Sequence, residues 1–89
     1  MQIKLGDEFL SICKEIIAEG LSENEWAERA YSDYFYEMPF CGGFEKEANA
    51  FIFGFYDEND DLYSFKLTLS QISEVVSGKI QMIDALKEE

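Results

Sequence analysis

Residues 48–69 constrain the fold more than any other part of the chain. They read Ala-Asn-Ala-Phe-Ile-Phe-Gly-Phe-Tyr, then Asp-Glu-Asn-Asp-Asp, then Leu-Tyr-Ser-Phe-Lys-Leu-Thr-Leu. Two runs rich in aromatic and β-branched residues flank a short acidic turn, which is the pattern of a β-hairpin with strands over 48–56 and 62–69. Side chains alternate with period two, so Asn49, Phe51, Phe53 and Phe55 share one face of the first strand. Tyr63, Phe65, Leu67 and Leu69 share one face of the second. Setting these faces together pairs Phe55 with Tyr63, Phe53 with Phe65 and Phe51 with Leu67. A slip of one residue would place Ser64 and Lys66 opposite the phenylalanines and lose the apolar face throughout. The loop is then Glu58-Asn59-Asp60, with Asn59 or Asp60 taking the left-handed conformation. A two-stranded ribbon this aromatic is not stable alone, and helices are its simplest cover.

Helical spacing supplies the cover. Phe9, Ile12, Cys13, Ile16 and Ile17 form one stripe of a helix over about 7–19, capped by Asp7, with Gly20 as the residue that ends it. Ser22 and Glu25 make a capping box, and Leu21 with Trp26 a hydrophobic staple, for a second helix over about 23–35 that carries Tyr31 and Tyr34 on its apolar face. Pro39 disfavours helix at Met38. Residues 36–47 read as an irregular connection containing Met38, Phe40 and Phe44. It either folds down on the core or forms a contact surface, with a reversal at Gly42-Gly43. Ser70 caps a third helix over about 71–87, because Ile72, Val75, Val76, Ile80, Ile83 and Leu86 keep helical phase through Gly78; the Ser77-Gly78 pair argues instead for a stop. Residues 2–5 are a short strand, paired with the hairpin, or a tail. The expectation is a single compact acidic domain over 1–89. Its class is α+β, in the order α-α-β-β-α, with helices on one face of a small antiparallel sheet.

Charge bears on function more than any motif does. Nineteen acids against seven bases give a net charge of −12 over 89 residues, which repels nucleic acid and anionic membranes and attracts basic surfaces. No apolar run approaches the length of a membrane span and no signal-peptide pattern opens the chain, so a cytoplasmic location is expected. Cys13 and Cys41 read as free thiols. There is no histidine, which removes the commonest general base and metal ligand. Asp57, Asn59 and Asp61 alternate like the start of a calcium loop. Leu62 and Thr68 stand where that loop needs glycine and glutamate, so a solvated turn is the better reading. Cys41 has no histidine to activate it. The chain is expected to be no enzyme and to hold no cofactor.

What remains is surface. Residues 5–37 carry nine acids against Lys14 and Arg29. The expected function is a small acidic protein-binding inhibitor that docks on the basic, nucleic-acid-binding surface of a larger protein, without touching nucleic acid itself. Glu15, Glu19, Glu23, Glu25 and Glu28 would supply charge contacts, joined by Asp57, Glu58, Asp60 and Asp61 at the turn. Tyr31, Tyr36 and Phe40 would be aromatic anchors. In size, charge and lack of catalytic groups the chain resembles phage-encoded anti-defence proteins, anti-CRISPR proteins and DNA mimics among them, and toxin immunity proteins; the resemblance is of type and rests on no motif. The alternative is a structural or adaptor protein that self-associates, as a homodimer, through the hairpin edge or the 38–44 loop.

Overall fold

In the computed structural model, which describes residues 1–29 and 34–88, the aromatic hairpin sits at the centre of a larger sheet. Strands β4 (Ala50–Tyr56) and β5 (Leu62–Leu67) pair in the expected register, Phe55 with Tyr63, Phe53 with Phe65 and Phe51 with Leu67. The turn also forms as read. Asp60 N–H donates to the Asp57 carbonyl at 3.1 Å, and Asp60 takes φ +61°. The Asp57 carboxylate is occupied by that turn, accepting from Asn59 N–H and Asp61 N–H at 2.9 Å each.

The class is α+β, but the order and extent differ from the expectation. The elements run β1 (Gln2–Lys4), α1 (Asp7–Ala18), α2 (Glu23–Arg29), β2 (Tyr34–Glu37), β3 (Phe40–Glu45), β4, β5, α3 (Leu69–Val76), β6 (Met82–Asp84) and β7 (Leu86–Lys87). Among the described residues there are three helices and seven strands, all paired antiparallel. A five-stranded sheet is ordered β2-β3-β4-β5-β7, and β1 pairs with β6 in a separate ribbon. The strand at residues 2–4 therefore does not join the hairpin. Its Ile3 instead lies opposite Ile83.

Two segments between α1 and the hairpin fold otherwise than read. Helix α2 is described over Glu23–Arg29, and Tyr34–Glu37, expected to lie at the end of the same helix, is strand instead. The expected loop over 36–47 contains β3, whose Gly42 and Gly43 are flat strand residues and not a reversal. The reason lies in the neighbours. On the core face Gly42 stands between Phe35 of β2 and Phe53 of β4. A Cβ at Gly42 would meet the Ile52 carbonyl oxygen at 2.3 Å and Phe53 Cδ1 at 2.6 Å. The aromatic neighbours fill the space that glycine leaves, so strand pairing overrides glycine's low strand propensity.

The third helix is shorter and starts earlier. Its cap is Thr68, not Ser70: Thr68 Oγ1 accepts from Gln71 N–H at 3.2 Å while Gln71 Oε1 accepts from Thr68 N–H at 2.9 Å, a reciprocal capping box. It stops at Val76 in a Schellman ending, with Gly78 N–H donating to the Val75 carbonyl at 3.1 Å and Lys79 N–H to the Glu74 carbonyl at 2.9 Å. Gly78 takes φ +87°, where a side chain would be strained. Ile80, Ile83 and Leu86 thus belong to no helix. Ile83 lies in the β1–β6 ribbon, and Leu86 is 73% exposed.

The core is a set of interlocked aromatic rings. Phe9 of α1 is fully buried against Phe40, Phe53 and Phe65, with ring centroids at 4.9, 4.9 and 5.5 Å. Trp26 of α2 is fully buried and meets Phe35 and Phe51 edge-on, at 5.8 and 5.2 Å. Ile72 and Val75 of α3 join the same cluster. Such tilted and edge-to-face ring pairs each add about 0.5–1.5 kcal/mol beyond the area that they bury.

Candidate protein-docking surface

The acidic residues expected to make contacts divide between the two ends of the sheet. At one end, α2 is tied to the β3–β4 turn by Asn49, whose side-chain N–H donates to Glu23 Oε2 at 2.8 Å. Glu19, at the C-cap of α1, accepts from Arg29 Nη1 at 3.2 Å, and the same guanidinium lies 5.6 Å from the centre of the Trp26 ring. Glu25 closes the capping box that begins α2. Its carboxylate accepts from Ser22 N–H at 3.1 Å, and its own N–H donates to Ser22 Oγ at 3.3 Å. Glu15 and Glu28 are exposed, with no ion pair among the described residues.

The turn acids sit at the other end. β4 has seven residues, and at about 3.3 Å each these separate the ends by roughly 20 Å. Asp57 and Asp61 are half-buried, Asp61 pairing with Lys87 at 3.6 Å, and Glu58 and Asp60 are exposed. The structure therefore gathers Glu15, Glu19, Glu23, Glu25 and Glu28 into one pole and leaves Asp57, Glu58, Asp60 and Asp61 at a second.

Of the three aromatic anchors, one is corrected. Phe40 is 3% exposed and packs between Phe9 and Phe55, so it is core and cannot touch a partner. The alternation of β3 dictates this, since Phe40, Gly42 and Phe44 all face the helices. Tyr36 is 62% exposed, on the opposite sheet face, with its hydroxyl donating to Met38 Sδ at 2.7 Å. Tyr31 lies outside the described residues. The sequence reading also missed Glu45 and Glu47, exposed in the β3–β4 turn at the α2 end. The Glu-Lys-Glu triplet there becomes meaningful only once Phe40–Glu45 is known to be a strand. The first pole then holds Glu15, Glu19, Glu23, Glu25, Glu28, Glu45 and Glu47 around Arg29 and Lys46.

No protein-family model matches the chain, and no curated protein or solved structure is significantly similar to it. Its chemistry must therefore be read from its own groups. Burial pushes the Cys13 thiol up to about 12, so it is no nucleophile at neutral pH. Cys41 is half-buried on the sheet face away from the helices.

Hydrogen bonds from Ser22, first from its backbone N–H and then from its side chain, hold the Glu25 carboxyl below the ordinary value of 4.5. A depressed folded-state pKa contributes stability above 4.5 that is lost as pH falls through the lowered value. Glu25→Gln keeps an acceptor but no charge. In urea titrations, the margin of the parent over this variant is expected at neutral pH and should close on acidification below 4.5; a margin independent of pH would show that the charge adds nothing to the cap.

Proposed function

We propose that this chain is a non-catalytic binding protein that docks its acidic α2 pole on a basic, nucleic-acid-binding surface of a larger protein, acting there as an inhibitor. A nuclease or another nucleic-acid-binding effector, of the kind met by phage anti-defence and immunity proteins, is the partner class. The observation that carries this reading is the clustering of seven carboxylates on two adjoining elements and a helix end, with Arg29 already engaged by Glu19. Along the exposed side of a helix, a carboxylate every four residues gives one charge per about 6 Å, against one per about 1.7 Å along duplex DNA. Mimicry of a phosphate backbone is therefore partial, and charge acts chiefly by steering the encounter.

The decisive variant reverses acids that have no structural duty. Glu19, Glu23 and Glu25 hold Arg29, Asn49 and Ser22, so changing them would disturb the fold. Glu15, Glu28 and Glu47 are exposed, and their side chains make no hydrogen bond or ion pair among the described residues. E15K/E28K/E47K moves the net charge from −12 to −6, two units for each of three changes. Against a partner captured from a host lysate at low salt and released at high salt, association should slow by about tenfold and lose much of its salt dependence. An unchanged association rate would remove the pole from the interface.

Self-association is the second reading, favoured by the outer edge of β2, which pairs with no strand among the described residues. The hairpin edge expected for it is taken, β4 by β3 and part of β5 by β7. Phe40 is no test, being core. Tyr36→Lys with Met38→Asp changes two side chains that are each 62% exposed. If the chain dimerises through β2, light scattering at two concentrations should show a dimer for the parent and a monomer for this pair; a monomeric parent rules the reading out.

A further inference from the structure

The five-stranded sheet uses one face for the core, and its other face forms an open trough. The register fixes its shape. Tyr36, Cys41, Gly54, Ser64 and Leu86 are successive cross-strand neighbours from β2 to β7. Three small residues make the floor on β3, β4 and β5. Tyr36 and Leu86, 62% and 73% exposed, stand at the two sides. Ile52 and Leu62 make the floor apolar, and the depression measures about 450 Å³. With strands about 4.8 Å apart, the floor from β3 to β5 is about 10 Å wide, the diameter of one α-helix with its side chains.

We propose that this trough seats a cationic amphipathic helix of the partner protein, lying along β4; the proposal rests on the docking function above and names the element that docks. Charge selects the occupant. Glu45 stands at one end of the trough, and Asp57, Glu58 and Asp60 stand at the other. Glu88 lies along the β7 side, accepting from the Ser64 hydroxyl. Lys66 is the one base that the five strands place on this face among the described residues; Lys87 stands opposite Tyr63 on the other face and is paired with Asp61. Basic residues flanking an apolar helical stripe meet carboxylates at both ends. About 20 Å between those ends corresponds to roughly 13 helical residues at 1.5 Å each. A second copy of this chain brings the same carboxylates and another −12, which opposes face-to-face pairing.

The probe is a dye-labelled leucine–lysine peptide of amphipathic helical pattern, compared with a permuted peptide of equal composition and with a leucine–glutamate counterpart. Binding is read by fluorescence anisotropy, and occupancy of the trough by the maleimide labelling rate of Cys41; Cys13 is fully buried and does not interfere. The amphipathic cationic peptide alone should slow Cys41 labelling by about tenfold, and Y36S/L86S should weaken its binding by about tenfold. Both substituted side chains are exposed, so the fold is spared. Binding that leaves Cys41 labelling unchanged and ignores Y36S/L86S would overturn the trough while leaving the acidic-pole reading standing. Failure of every cationic peptide to bind at low salt would overturn both. Protection of Cys41 in a concentrated sample without peptide, with a dimer in light scattering, would assign the trough to a second copy.

Discussion

Gly42→Ala should cost at least about 3 kcal/mol, the upper range for overpacking a close-packed site. The added methyl would stand 2.3 Å from the Ile52 carbonyl oxygen and 2.6 Å from the Phe53 ring. The first obstacle is backbone of the central strand, held in register by β3 and β5, so it cannot retreat without breaking ladder hydrogen bonds. The second is a fully buried ring stacked on Phe65 at 5.6 Å. Against a total stability of about 4–13 kcal/mol for a chain of this length, the loss should appear as a large drop in the urea midpoint. Gly54→Ala is the matched control. It sits in the neighbouring strand on the opposite face; with the Tyr63 carbonyl oxygen at an ordinary 3.9 Å, the tight contacts of its methyl would be Leu62 Cδ1 at 3.0 Å and Cys41 Sγ at 3.2 Å. Those are side-chain ends that can turn aside, so the cost should stay within about 1 kcal/mol. Equal losses at the two positions would mean that propensity, not contact, makes these glycines necessary.

The same glycine explains what could be read from the sequence and what could not. The β4–β5 hairpin was legible down to its register because Phe51, Phe53 and Phe55 alternate without interruption, and one slipped residue would expose them all. β3 has the same alternation in Phe40, Gly42 and Phe44, but its middle position has no side chain. Without knowing that Phe53 fills that gap, Gly42-Gly43 reads as a turn, and Phe40 then passes for a loop residue free to meet a partner. The end of α3 shows the reverse problem. Ile80, Ile83 and Leu86 recur at threes, which fits a helix as well as a loop and a short strand, whereas Gly78 signals the stop locally. The Thr68–Gln71 box is equally local, but Ser70 is a capping residue of the same kind two positions on, and spacing alone does not choose between them. For the candidate surface, single charges were legible and their grouping was not. Separating the turn acids from the helix acids by the length of β4, and adding Glu45 and Glu47 to the α2 pole, depends on topology.

Phe9→Ala tests the other half of the architecture, the grip of α1 on the sheet. A buried phenylalanine replaced by alanine costs about 3–5 kcal/mol, because transfer energy is lost and a cavity remains. Here the cavity would open among Phe40, Phe53 and Phe65, which belong to three different strands. Those backbones are held by the ladder and cannot collapse inward, so the cost should fall at the upper end of the range. Ile17→Ala provides the comparison. Ile17 lies on the same apolar stripe by spacing, yet it is 38% exposed near the C-terminal end of α1, and its loss should cost about 1 kcal/mol or less. Alanine is the best helix former, so neither substitution weakens α1 itself, and the difference between the two urea midpoints isolates packing. A Phe9→Ala variant as stable as Ile17→Ala would show that the phenylalanine cluster is held by the strands alone. In that case α1 would cover the aromatic face without being needed to stabilise it.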